Sequence, residues 1–405
     1  MRLFLTVLAI FTLLTGQLSA ETLTVERGTD LQSIIDYAAD GDTLVLGMKT
    51  FEAQPRPFTD SLCGNCQEHR TPVDASYGFI IKGKSLVLVG KDRNLTRLVT
   101  KAGYGLYFED SPNSQVLNLT ITGGIRDAAE AATSGAVVVR RSGVELFNVD
   151  IVDNDHRDTS VTVGLCGVVG REGSDLNIKN CSIINCSWDG VALYRGASAQ
   201  ITDCIIKNGR GAGIGVTWDA TCIAYRNNVS GFWKGIGSFG SSWLVARNNL
   251  VHDCLGWGVI ATEQSYLDLT NNVIYRNGNC GVAPWSTSSS GRIVNNIITA
   301  NGWREEWVCP CVGVWNYADW AKWRFTNNIV WGNEAGNYRD IWDQTGFNGN
   351  LSEDPLFAGE NDFRLQPGSP GLNAGDSTLY NPDGSISHIG LHGGPQAKRT
   401  PPLGQ

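Results

Sequence analysis

Between residues 156 and 263 the chain gathers groups that could move protons: His156, Arg157 and Asp158 side by side, Arg171 beside Glu172, then Asp189, Arg195, Asp219, Lys234 and Glu263. Two chemistries use such groups. β-Elimination on an acidic sugar needs a cation or metal to neutralise the uronate carboxylate, and a base to take the proton beside it. An Arg or Lys with a lowered pKa can be that base when positive charge stands nearby. Arg195 and Lys234 are the first candidates. Hydrolysis needs instead a carboxylate pair flanking the bond, for which Asp189 with Glu172 or Glu263 are available. None of these spacings is diagnostic, and any one group can equally be a structural or solvated charge.

The aromatic residues are concentrated in the same region. All thirteen tryptophans lie between Trp188 and Trp342. Trp188, Trp233 and Trp257 fall one or two residues before a glycine that opens an apolar stretch, Trp218 follows such a stretch, and Tyr194, Trp285 and Trp315 take outward positions in theirs. Rings on a groove wall suit the apolar faces of sugars. The alternative is that they stack on one another and hold neighbouring strands in register.

Eleven cysteines leave at least one unpaired within the chain. Cys63-Gly-Asn-Cys66 with Cys309-Pro-Cys311 could form a four-thiolate zinc site, although export favours disulfides. Cys181 and Cys204 follow equivalent repeat positions and should stack as core filler or as a bridge. The metal, if any, is unknown; calcium would have to rest on Asp376 and Asp383, with no recognisable loop spacing. No phosphate loop, dinucleotide fingerprint or Ser-His-Asp arrangement appears.

The elements that position these groups follow from composition and repetition. The chain has 405 residues, a net charge of −8, 48 glycines and 18% charged residues, which argues against coiled coils and helical bundles. The acidic balance without a basic cluster disfavours nucleic acid and anionic membranes as partners. Residues 1–20 read as a cleaved secretory signal, with Arg2, an apolar Leu3–Leu14 and a small-residue site at Leu18-Ser19-Ala20. No later segment is apolar enough to span a membrane. A monomer, secreted or held in the periplasm or at the cell surface, is expected.

One motif recurs: Asn or Asp, apolar β-branched residues, Asn five positions on, then Gly opening a new apolar strand, as in Asn180-Cys-Ser-Ile-Ile-Asn185 and Asn296-Ile-Ile-Thr-Ala-Asn301. Copies at 118, 148, 180, 203, 228, 249, 272, 296 and 328 are separated by 30, 32, 23, 25, 21, 23, 24 and 32 residues. A period near 23 without helical spacing means that each unit is a turn of strands, burying its apolar face only against the turns above and below. The fold class is therefore all-β, a right-handed parallel β-helix. Asn forms a stacked corner ladder, which should bury Asn118, Asn180 and Asn228. Val191, Leu193, Ile214 and Val216 point inward. Thr29 or Asp30 caps a short amphipathic helix that plugs the front, Asp42-Thr-Leu-Val-Leu46 begins the first coil, and residues 48–77 are an inserted loop. The domain runs over 21–350, a closing segment over 351–396 and a frayed tail over 397–405.

Thr29-Asp-Leu-Gln-Ser-Ile-Ile-Asp, Asp40-Gly-Asp-Thr-Leu-Val-Leu and the Asn-Asn-Val-Ile repeats make the chain resemble the pectate-lyase-like right-handed β-helix superfamily. The closing Asp354-Pro-Leu-Phe, Phe363-Arg-Leu-Gln-Pro-Gly-Ser-Pro and Asn373-Ala-Gly-Asp are similar to the ends of secreted bacterial β-helix proteins. The resemblance implies polysaccharide lyases, hydrolases, epimerases or non-catalytic members, and it rests on structural residues. Asp155-His156 is similar to the Asp/His site of alginate epimerases but lacks its proline. Three long intervals place extra residues before Gly135, Gly167 and Gly313, forming loops that should wall a groove. The expectation is a polysaccharide lyase acting along that groove; the alternatives are a glycoside hydrolase, an epimerase or a non-catalytic carbohydrate-binding protein.

Overall fold

The computed structural model describes residues 20–26, 30–155, 164–304 and 310–398. His156, Arg157, Asp158, Thr29, Cys309, most of the expected signal and the last seven residues lie outside it. Strands stack into three long sheets of 12, 11 and 12 strands, and successive strands of each sheet come from successive coils. One coil reads Cys166–Arg171, Asp175–Lys179, Ser182–Cys186, and the next begins at Val191–Leu193. We call the sheets face three, face one and face two, in that order. Pairing is parallel throughout the three faces except at the hairpin of Arg56–Asp60 with Val73–Lys82. The result is the right-handed parallel β-helix that the repeat requires.

The interior is filled by the inward residues of each strand. Val191, Leu193, Ile214, Val216, Ile236 and Val259 are all fully buried in one continuous core. At the start of the face-three strands a glycine recurs because no Cβ fits. One built at Gly190, Gly213, Gly235 or Gly258 would lie 2.5–2.7 Å from the carbonyl oxygen of the glycine in the next coil. The backbones approach there more closely than an L side chain allows.

The repeat asparagine proves to be two positions. In the first coils Asn118, Asn148, Asn180 and Asp203 occupy the left-handed corner, with φ between 55° and 57°. They are half-buried or exposed, which corrects the expectation that Asn118 and Asn180 are buried. From Asn227 onward the next residue carries the ladder and points inward. Each Nδ2 of Asn227, Asn249, Asn272, Asn296 and Asn328 donates to the Oδ1 of the next, ending at Asn350, at 2.9–3.1 Å. Asn228 falls one residue later, on a strand and half-buried. Counted at the inward residue, the irregular 25 and 21 become 23 and 22.

Three boundary expectations change. Thr22–Val25 pairs with Thr43–Leu46, so a strand precedes the first coil that the sequence suggested. The helix Leu31–Tyr37 forms as expected, capped by the Asp30 side chain on Ser33 N, and buries Leu31, Ile35 and Ala38. Residues 48–77 are not a loop: they carry Thr50–Glu52 of face two and the antiparallel hairpin. The C-terminal segment starts on the last coil, where Leu351 pairs with Ile329, and does not stay at the end of the rod. It runs back along the outside of face two, where Phe363 and Ile389 pack on Val273, Ile297 and Ile329. Asn248, Asn271 and Asn327 donate to its carbonyls, and Lys398 reaches Asp203 at 2.7 Å.

Candidate active site

The outward side of face three is divided in two. Over the strands Tyr104–Glu109, Gly135–Arg140 and Cys166–Arg171 lies the antiparallel hairpin. Phe58 packs on Tyr104 and Tyr107 with ring centroids 5.4 and 5.7 Å apart. Beneath it sits a buried charge cluster. Arg140 Nη1 meets Asp60 Oδ1 at 2.7 Å, Arg171 Nη1 meets Asp60 Oδ2 at 3.1 Å, and the Tyr104 hydroxyl donates to Asp60 Oδ2 at 3.0 Å. Arg171 is fully buried. Glu172 Oε2 is held by Arg171 Nε at 2.7 Å and Arg140 Nε at 3.3 Å, which ties it into this buried cluster. Thus Arg171 and Glu172 hold the hairpin down.

Beyond the hairpin the face opens, and the first feature is a cavity of 160 Å³ lined by Cys63, Cys66, Glu130–Ser134, Cys166, Trp188 and Tyr194. The first of the three long loops does reach it, through Glu130–Ser134. Bonded to Tyr194 of that lining is Asp189, 8% exposed, whose Oδ1 accepts from Ala212 N at 2.6 Å. Burial pushes its carboxyl up to about 6, against the pull of the Ala212 N–H, Lys234 and the Tyr194 hydroxyl bonded to it. Burial likewise raises Tyr194 well above the ordinary phenol range, so it stays protonated. Lys234 shares a register file with Ala212 and Trp257. Its ammonium is half-buried over the rings of Phe239 and Trp257 at 5.6 and 6.0 Å, and burial lowers its pKa while Asp189 raises it.

Arg195 is elsewhere. Glu172, Arg195, Trp218 and Glu263 occupy the left-handed corner where face three ends, with φ of 48°, 50°, 63° and 53°. The Arg195 guanidinium lies 4.3 Å over the Trp218 ring and donates through Nη2 to Cys66 O. With His69 and Asp219 these residues border an open cleft of 640 Å³. The structure therefore separates the pair singled out from sequence: Lys234 enters the strand and Arg195 leaves it. Asp189 and Glu263 are divided in the same way, so they do not flank a common bond.

Trp233, Trp257, Trp285 and Trp315 form a chain of edge-to-face contacts with centroids 5.7, 5.6 and 4.3 Å apart. They do stack on one another, and they do so along the open groove. Trp257 is buried and the other three are half-buried, leaving ring edges and part-faces to solvent. Trp188 lines the cavity. Trp243 departs from the group: it stacks on Tyr266 on face one.

Cys63 and Cys66 form a disulfide. Cys63 packs on Ala131 and Cys311 on Arg304, which places Cys311 on a different coil from the Cys63–Cys66 pair, against a shared four-thiolate site. Cys181 and Cys204 are buried thiols in contact, core filler rather than a bridge. Asp376 is held by Arg324 of face one and by Thr378, and Asp383 by Ser385. Among the described residues no three His, Cys, Asp or Glu side chains are arranged to hold a metal ion, and no helix is long and apolar enough to cross a membrane.

Sequence reasoning overlooked two contributors. Cys166, in the file beside Asp189, had no motif of its own, and the 61–66 tip was read as an inserted loop; its close cysteine pair was the available signal.

Known structures share the architecture at low identity. The A-module of mannuronan C-5 epimerase AlgE4 from Azotobacter vinelandii superposes with a TM-score of 0.53 at 16% identity, covering 80% of this chain and 89% of that one. Pectate lyase Pel9A gives 0.52 at 12% identity, over 93% and 97%. The family model for the right handed beta helix region matches residues 69–229 and 233–350, and by that match the chain belongs to the right-handed β-helix family.

Proposed function

We propose that the chain is a polysaccharide lyase acting on a uronate-containing polymer laid along the open half of face three. The observation that carries this is Lys234: a half-buried amine with lowered pKa, set between the Asp189–Tyr194 pair and the first rings of the tryptophan row. In β-elimination the Lys234 amine takes the proton from the carbon beside the uronate carboxyl, the electron pair of that broken C–H bond forms the new double bond, and the bond to the departing sugar oxygen breaks. Tyr194, kept protonated by burial and oriented by Asp189, gives its proton to that oxygen. The structural relatives, named as acting on mannuronan and as a pectate lyase, agree with an acidic substrate. Calcium is the cation to try for carboxylate neutralisation. Release from the producing cell, by way of residues 1–20, and a monomeric state complete the reading.

The test is incubation of the purified chain with alginate, polygalacturonate and neutral polymers, with and without calcium, following absorbance of unsaturated ends and reducing sugar in parallel. Both signals rise together for a lyase. Reducing sugar alone overturns β-elimination in favour of hydrolysis. Retention of polymer with neither signal leaves a binding protein using the aromatic row.

A further inference from the structure

The groove is closed at one end. Toward the N-terminus the outward residues of face three disappear under the hairpin: Tyr104, Tyr107, Val138 and Val169 are at most 1% exposed. The hairpin tip stands across the face at the cavity beside Asp189, as a wall pinned at both ends. Arg171 Nη2 donates to Leu62 O, Arg195 Nη2 donates to Cys66 O, and the Cys63–Cys66 bond joins the two anchored stretches. Neither anchor is a flexible contact: Arg171 is fully buried among Asp60, Tyr104 and Glu172, and Arg195 lies against Trp218. Toward the C-terminus, among the described residues, no such cover lies over Lys234, Trp285 or Trp315, which remain half-buried.

A polymer lying along the tryptophan row therefore meets the wall just past Asp189. The blind cavity there, 160 Å³, has the size of one sugar ring and not of a continuing chain. We infer that the site takes a chain terminus: the last one or two sugar units occupy the blind end, the polymer runs out over the tryptophans, and the reaction releases short products from one end. Release of products rests on the proposed lyase reading, and recognition of a terminus rests on the wall alone.

The test separates the two. Alginate and polygalacturonate oligomers of increasing length, labelled at the reducing or the non-reducing end, are digested and sampled from the first turnovers. The expected result is a single small product from one labelled end, with the remaining chains shortening gradually; fragments of intermediate length at the earliest times overturn the inference while leaving the lyase reading intact. In parallel, the Lys234→Ala variant is titrated with the same oligomers by calorimetry. One protein bound per chain at every length supports terminus recognition even where the wild type cleaves nothing, an outcome that sinks the lyase reading alone. A number bound that grows with chain length overturns the inference.

Discussion

Asp189 and Lys234 stand two coils apart in one register file, with Ala212 between them, and each opposes the effect of burial on the other. Burial drives Asp189 toward the acid and Lys234 toward the free amine; the attraction between their charges drives both back. Asp189→Asn removes the negative charge while keeping the shape, so the Lys234 pKa should fall further. The acidic limb of the activity profile, and the pH dependence of acylation at Lys234, should move to lower pH; an unchanged Lys234 titration contradicts the coupling.

The same substitution has a stability consequence with a definite sign. Asp189 is raised from 3.8 to about 6 in the folded chain, so the folded state holds the proton more tightly than the unfolded one. Its favourable contribution is fully present below pH 3.8 and is lost as pH rises through about 6. Asp189→Asn should flatten this part of the stability curve and leave the variant relatively more stable at pH 7, on the order of 2–3 kcal/mol. Denaturant unfolding between pH 4 and 8 measures it, and parallel curves for the two proteins count against a buried, proton-holding carboxyl.

Lys234 itself separates charge from basicity. Lys234→Ala and Lys234→Arg should both abolish elimination, the second because the charge acting on position 234 is the Asp189 carboxylate, which keeps a guanidinium protonated. Polymer retention should survive in the Arg variant. Residual unsaturated product above a hundredth of the wild-type rate in both would remove Lys234 as the base.

Much of the fold was legible because a solenoid repeats its instructions. The Gly at 190, 213, 235 and 258 is dictated by backbone contact with the next coil, and Val191 or Ile214 by a shared interior, so each signal occurs many times. The ladder was misread at Asn228 because Asn is favoured at two adjacent positions for different reasons: at 118 by the left-handed turn, at 249 by the inner amide ladder. The site was much less legible. Lys234 and Asp189 were named, but their pairing with Tyr194 depends on the register between coils, which chain spacing does not display. The wall was missed altogether, since Arg171 and Arg195 find their partners, Leu62 and Cys66, more than a hundred residues earlier.

Asp60 tests what holds that wall. Its carboxylate accepts from Tyr104 and meets both Arg140 and Arg171, with all four groups at most 5% exposed. Asp60→Asn removes the carboxylate that two buried guanidinium groups share and leaves them fewer counter-charges than cations, which costs about 3–5 kcal/mol. Thermal unfolding should show a large loss with normal core strands by circular dichroism. A loss under about 1 kcal/mol would mean that Glu109 and Glu172 suffice for both arginines.

Arg195 is expected to behave differently, because it sits at the surface end of the same wall. Arg195→Ala removes the donor to Cys66 O and the cation over Trp218, a cost of about 1–2 kcal/mol. Amide exchange in the 61–72 stretch should accelerate at least tenfold, while exchange in the Val191–Leu193 strand is unchanged. Equal protection at 61–72 in variant and wild type would show that the disulfide and Arg171 fix the tip without it.

Asn271 and Asn272 are adjacent in sequence and should give opposite kinds of loss. Asn272 is buried in the inner ladder: its Oδ1 accepts from Asn249 N and Nδ2, and its Nδ2 donates to Ala246 O, Thr270 O and Asn296 Oδ1. Asn272→Ala strands donors and acceptors on three coils with no water to replace it, so the cost is about 3–5 kcal/mol and falls on the whole cooperative unit. Asn271 sits at the corner with φ of 57° and donates outward to His388 O and Gly390 O of the C-terminal segment. Asn271→Ala costs about 1–2 kcal/mol from the left-handed turn and the lost strap contacts, and the effect should be local. Limited proteolysis should cut the segment after residue 370 faster in the Asn271 variant, with the midpoint of global unfolding little changed. The Asn272 variant should show the reverse, an early global midpoint without selective cleavage. If both lowered the global midpoint equally, the segment would be part of the cooperative core rather than a strap laid upon it.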